Sequence, residues 1–198
     1  MRSSLLRAAI AALALSSLVA GCESVPTAPS FPDIRFTAAA PIRLAVSGIE
    51  VRDDYKPTFQ PPHVEHVFPI PPARAAQNWA HDRLVAAGGT ARALFRIEEA
   101  SAVEVELKKK EEGVTGVFTK EPAQRYDMVL QAVLLLLDDH GTPVRTVSVK
   151  ATRSQSVLEG ITPNERDQIW YDMTKALMND FDQQMTTQIT NHFGGYFQ

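Results

Sequence analysis

Residues 126–137 carry apolar side chains at both even and odd positions, from Tyr126 and Met128 to the unbroken Leu134-Leu135-Leu136-Leu137. A strand with that pattern is stable only where both of its faces are covered, so the run predicts a central strand. After the polar turn Asp138-Asp139-His140-Gly141, residues 144–157 alternate instead, with Val147, Val149 and Ala151 on one face and Thr146, Ser148, Lys150 and Thr152 on the other. Alternation at period two marks one buried and one solvated face. The two runs therefore predict an antiparallel hairpin around which the other elements are arranged.

Upstream, residues 41–51 set Ile42, Leu44 and Val46 against Arg43, Ala45 and Ser47 before Gly48 breaks the pattern, a half-buried strand. Residues 53–72 then hold Pro57, Pro61, Pro62, Pro69, Pro71 and Pro72. Fixed φ angles and missing amide donors exclude helix and central strand there, leaving a long loop of the kind that is functional or disordered. From residue 73 to 87 the period lengthens: Ala76, Trp79, Ala80, Leu84 and Ala87 share one helical face, and Gly88-Gly89 supplies a stop. Residues 91–97 return to alternation, continued by Val103, Val105 and Leu107 past a bend near Ala100-Ser101. Residues 108–113 read as a solvated turn.

Thr162, Pro163 and Glu165 form a capping box with proline in the first helical position, and the helix they open runs to about His192 before Gly194-Gly195. Its apolar residues Ile169, Met173, Leu177, Phe181, Met185, Ile189 and Phe193 recur every four residues, and four residues turn about 400°, so the stripe drifts by roughly 40° per step. Either the helix bends over a twisted sheet or breaks near Asn179-Asp180, or its last turns present Met185, Ile189, Phe193, Tyr196 and Phe197 to a partner or to lipid. The element order strand, helix, strands, helix predicts an α+β fold. Its expected form is a two-layer sandwich of one antiparallel sheet of about four strands with two helices on one face.

The first residues point elsewhere. Arg2 and Arg7 are a positive start, and residues 8–20 are apolar apart from Ser16 and Ser17, a signal peptide's layout. That stretch spans roughly 20 Å as a helix, short of the ~30 Å hydrocarbon core. It ends in Leu18-Val19-Ala20-Gly21-Cys22, which resembles the bacterial lipobox, in which small residues precede the cut and the cysteine sulfur after it receives diacylglycerol. Ala20, Gly21 and Cys22 match the pattern, and Val19 stands where leucine is more usual. Cys22 is the only cysteine, so no intramolecular disulfide forms, and acylation would remove a free thiol from an oxidising compartment. Glu23 rather than aspartate follows the cysteine; by resemblance to the sorting rule of Gram-negative lipoproteins this implies the outer membrane, periplasmic face. The expected organisation is a lipoprotein signal peptide over 1–21, an acylated tether over 22–40, and a single domain over 41–198.

The formal charge is −3, and it includes Arg2 and Arg7, which cleavage removes. An acidic mature chain is a poor match for nucleic acid or an anionic lipid surface. His63-Val64-Glu65-His66, with Asp53 and Asp54 nearby, is the most metal-like cluster, but its prolines exclude the helix that puts two histidines on adjacent turns, and solvated loop histidines are the simpler reading. There is no Gly-x-Ser-x-Gly elbow and no phosphate loop after a strand. Adjacent carboxylates such as Glu98-Glu99, Glu111-Glu112 and Asp138-Asp139 read as solvated, and Trp79 and Trp170 as core anchors. Neither a catalytic residue nor a metal or cofactor is expected.

A tethered α+β domain on a lipid anchor, in this element order, resembles two families of envelope lipoproteins: the lipopolysaccharide-assembly lipoprotein that plugs an outer-membrane barrel, and the auxiliary lipoprotein of lipid-transporting ABC systems. The resemblance implies a non-catalytic accessory or assembly role with an envelope protein or lipid as partner. The alternative is a periplasmic lipid- or small-ligand-binding module with a pocket between helices and sheet.

Overall fold

The computed structural model describes residues 30–108 and 122–196, so Leu18, Val19, Ala20, Gly21, Cys22, most of the expected tether, the turn after Lys108 and Phe197 lie outside the described residues. The elements are β1 (Ile42–Leu44), β2 (Ile49–Asp53), a single 3-10 turn (Glu65–Val67), α1 (Pro72–Arg83), β3 (Leu84–Ala86), β4 (Arg92–Glu106), β5 (Pro122–Leu137), β6 (Pro143–Leu158) and α2 (Pro163–His192). The chain is α+β, with a four-stranded sheet in the order β2-β4-β5-β6 and a two-stranded pair β1-β3.

The sheet is mixed rather than antiparallel. β4, β5 and β6 run antiparallel, but β2 is parallel to β4 and β1 is parallel to β3. The connections explain the parallel pairs: β2 reaches β4 through α1, and a crossover through a helix returns the chain in the same direction, whereas the tight turn after Leu137 reverses β5 into β6. The strand expected over 41–51 is split. The Val46 amide turns back to the Leu44 carbonyl and the Ser47 amide is held by Ala91 O, so the two halves pair in different sheets. β4, by contrast, is one strand, with its irregularity at Ile97/Glu99 rather than near residue 100.

β5 lies between β4 and β6, but only one side of it is fully covered. Tyr126, Met128, Leu130, Ala132, Leu134 and Leu136 are buried, while Val129, Leu135 and Leu137 on the other face remain half-exposed. Leu135 lies between Leu94 and Thr146, and Val133 between Arg96 and Ser148, so lateral neighbours and the aliphatic stem of an arginine shield the second apolar row. β6 alternates as its sequence predicts, with Val147, Val149 and Ala151 buried between exposed polar residues.

Both helices contribute to the core formed on the buried sheet face. Trp79 is fully buried, with ring centroids 5.4 Å from Phe95 and 5.1 Å from Phe181; Trp170 stacks on Phe68 at 4.7 Å and meets Tyr126 edge-on. α1 ends at Arg83, earlier than its periodicity suggests, because Leu84, Val85 and Ala86 pair with β1. Gly88 and Gly89, at φ of +92° and +130°, therefore turn the chain after β3 instead of capping the helix, and a Cβ on Gly89 would stand 2.6 Å from Ala45 O.

α2 opens with the expected capping box: the Glu165 amide donates to Thr162 Oγ1 and the Thr162 amide to the Glu165 carboxylate. It continues unbroken past Asn179-Asp180 to His192. Its stripe stays covered to the end, with Met185, Ile189 and Phe193 fully buried and Tyr196 partly so. These side chains belong to the core and do not form a surface patch; neighbouring strands twist by roughly 20–25°, so the surface beneath a long helix rotates along with a drifting stripe.

The folded unit also takes in residues that composition assigns to the tether. Ile34 and Phe36 are buried in the core. The Arg35 guanidinium pairs with the Asp82 carboxylate, which also accepts the Phe36 amide at 2.8 Å, while Asp33 pairs with Arg74 and the ring of Phe31 lies 5.3 Å from that of Tyr171. Residues 31–36 thus form a strap attached to both helices.

Candidate functional site

The proline-rich segment 53–72 has a defined path and carries the most developed polar cluster described. It leaves the end of β2, then returns to the same edge of β4: the Val64 amide donates to Ala102 O and the Glu104 amide to Pro62 O, both at 2.8 Å, around a bridge between His63 and Val103. Pro62 needs to supply only a carbonyl here, so its missing amide costs nothing. The edge that β2 occupies along residues 93–97 is taken by the loop farther along.

The 3-10 turn then directs Glu65 inward, where it is 3% exposed. Tyr55 Oη donates to Glu65 Oε1 at 2.7 Å and the Ala102 amide donates to Oε2 at 3.1 Å, with His63 Nδ1 3.7 Å from the same oxygen. Burial, and then the hydrogen bond to Glu65 and the charges of Glu65, Glu99 and Asp53, push the Tyr55 phenol well up from its ordinary value. Asp53 accepts from its own loop, through the Tyr55 amide at 3.1 Å, and from Gln77 of α1, also at 3.1 Å.

These groups line a cavity of about 240 Å³. Its apolar walls are Pro57, Phe59, Pro71, Ala73 and Ala100; Asp53, Tyr55, Glu65 and His66 supply the polar ones. Phe59 stands at the rim, 65% exposed, at φ +56°, with its ring 5.4 Å from that of His66. A bulky residue rarely adopts that backbone conformation.

Sequence reasoning singled out His63, Glu65, His66, Asp53 and Asp54 for their metal-binding types and missed Tyr55 and Phe59. The structure brings Asp53, Glu65 and His66 to one cavity, sets His63 Nδ1 3.7 Å from the Glu65 carboxylate and leaves Asp54 apart. Glu65 is a buried acceptor, His66 lies against Phe59, and Asp54 pairs with Arg52 and Arg96. Among the described residues no three His, Cys, Asp or Glu side chains are gathered to hold a metal ion. Two aromatic residues inside a proline-rich stretch were the available signal for an apolar cavity, since such segments expose rings with little conformational freedom to lose. Glu98 and Glu99 are engaged with Arg96, Gln131, Ser101 and Lys150 on the open sheet face.

No protein-family model and no curated protein matches the chain. Among solved structures it is similar to the minor lipoprotein from Acinetobacter baumannii, at 15% identity and a TM-score of 0.41 over 76% of this chain and 94% of that one. It is also similar to a candidate lipoprotein from Caulobacter crescentus CB15, at 11% identity and a TM-score of 0.28 over 53% of this chain and 71% of that one.

Proposed function

We propose that this protein is an envelope lipoprotein, cleaved before Cys22 and held on the periplasmic face of the outer membrane by acyl chains on that cysteine. Its domain acts without catalysis as an accessory or assembly component of an envelope or lipid-transport complex. The observation that carries the reading is the run Leu18-Val19-Ala20-Gly21-Cys22 at the end of an apolar segment behind Arg2 and Arg7. Among the described residues no helix is long and apolar enough to cross a membrane. Two or three acyl chains at about 0.8 kcal/mol per buried methylene suffice for stable attachment. The strap begins nine residues after Cys22, and at about 3.6 Å per extended residue its start lies within about 32 Å of the anchor.

Mass spectrometry of the mature N-terminal peptide tests the anchor. An acylated Cys22, with Cys22→Ala moving the protein out of the membrane fraction, is the expected result; an unmodified cysteine in a soluble wild type would overturn it. Crosslinking and affinity capture from native membranes tests the accessory role, which predicts recovery of a barrel or transporter component from wild type and its loss from Cys22→Ala.

The second reading, a ligand-binding lipoprotein, is favoured by one observation, the cavity beside the proline-rich segment. The middle of the space between helices and sheet is filled by Phe95, Leu134, Leu177 and Phe181 at 0% exposure, and an open polar hollow of about 320 Å³ lies at its edge between β6 and α2.

A further inference from the structure

We propose that the cavity between the proline-rich segment and the start of α1 binds an alkylated ammonium group, carried by a small molecule or a lipid headgroup of about choline size. This deepens the ligand-binding reading and is independent of the anchor.

Size sets the first limit. At about 240 Å³ the cavity falls below the roughly 300–1,000 Å³ of sites for drug-sized ligands, so it accommodates a headgroup and not a whole lipid. Charge sets the second. Asp53 and Glu65 line it, and among the described residues no lysine or arginine does. The N-terminus of α1, which brings Ala73 to the wall, opposes them with only about half a positive charge. The raised Tyr55 phenol reports the same negative field, with burial its largest cause and the carboxylates of Glu65, Glu99 and Asp53 adding to it.

Hydrogen-bonding capacity decides the kind of cation. Each of the four carboxylate oxygens already accepts one bond, from Tyr55 Oη, the Ala102 and Tyr55 amides and Gln77, which leaves each about one lone pair. A metal ion or primary ammonium must replace a full set of water contacts and would share these four oxygens with their present donors. A quaternary, fully alkylated ammonium has no N–H to donate, is weakly hydrated and needs no lone pair; it is attracted through space by carboxylates and by aromatic faces. Tyr55, Phe59 and His66 supply rings, and Pro57 and Pro71 supply walls for methyl groups. The exposed ring of Phe59 at the rim gains a partner when the cavity is filled.

The test is isothermal titration calorimetry of the full-length protein in a maltoside detergent, which carries no ammonium group. The probes are choline, tetramethylammonium and 3,3-dimethylbutan-1-ol, the uncharged carbon isostere of choline. Both cations are expected to bind saturably and the isostere at least about tenfold more weakly. Phe59→Ala is expected to weaken choline binding several-fold with the melting temperature unchanged, and Asp53→Asn to weaken it several-fold with the fold retained by circular dichroism; Glu65 is left intact because it holds the loop to β4. Glycerophosphocholine is the second arm: tighter binding than choline assigns the site to a lipid headgroup, and weaker binding assigns it to a free ammonium compound. An isostere that binds as well as choline, no saturable binding of either cation, or wild-type affinity in both variants would overturn the proposal and leave the lipid anchor and the accessory role untouched.

Discussion

Asp82 shows how one carboxylate joins the amino-terminal strap to the domain. The Arg35 guanidinium above all, and then the Phe36 amide, hold its carboxyl below the usual carboxylate range. A group whose folded pKa is lowered stabilises fully above its unfolded value and loses that contribution as pH falls through the folded one. The strap should therefore be secure above about pH 4 and loosen below it. Hydrogen exchange at Ile34 and Phe36 is expected to accelerate below that pH ahead of exchange in β5, and Asp82→Asn to accelerate it at neutral pH; parallel changes in strap and core would refute this. Tyr55 has the opposite sign. Its phenol is raised, so the protonated form is the stabilising one, present below about pH 10 and lost as pH climbs above it. Tyr55→Phe should flatten the alkaline fall in stability. Glu65→Ala would leave Tyr55 Oη and the Ala102 amide without their acceptor, at about 1–3 kcal/mol for each group that stays dry, measurable by urea unfolding.

The elements differ in how much of each face the tertiary structure uses. Leu134 and Leu135 are adjacent in β5, yet the first is fully buried and the second half-exposed. Leu134→Ala should cost about 2–5 kcal/mol and Leu135→Ala less than about 1.5 kcal/mol. Equal losses in urea denaturation would mean that the second face of the sheet is covered too. α2 is joined to α1 by Asp182, whose Oδ1 accepts from Trp79 Nε1 and Arg83 Nε, both at 2.7 Å, while Arg83 reaches Thr186 at 3.0 Å. Arg83 is 6% exposed, so Asp182→Ala would leave a buried guanidinium unpaired and should cost about 3 kcal/mol or more. Phe193→Ala at the end of α2 should cost about 3–5 kcal/mol, because that side chain closes the core.

Across the whole molecule, the strap is tied to α1 through Asp82 and to α2 through Tyr171, while β6 exposes Thr146, Ser148, Lys150 and Thr152 between its buried residues. For the anchored protein this arrangement predicts a protection pattern. In membranes, surface labelling should reach Lys150 on the open sheet face at least as readily as Lys175 on α2, and release by Cys22→Ala should raise labelling of Lys175 selectively. Unchanged labelling of both would argue against a membrane-facing helical layer.

The sequence by itself determined the local elements whose signals are complete within a few residues. The capping box at Thr162, the alternation of β6 and the turn at residues 138–141 stand as their residues predict, because each depends on neighbours along the chain. The secretory and lipobox reading also rests on a few adjacent residues, but it lies outside the described residues and stands as a proposal. Only the tertiary structure decided which apolar rows are covered, that β2 is parallel to β4, that Leu84, Val85 and Ala86 leave the helical pattern to pair with β1, and that Met185, Ile189 and Phe193 belong to the core. The cavity was the least legible feature, since its walls come from β2, the proline-rich segment, α1 and β4. Covering, pairing and enclosure depend on residues distant in sequence, and periodicity records only that a side chain is apolar, not what will meet it.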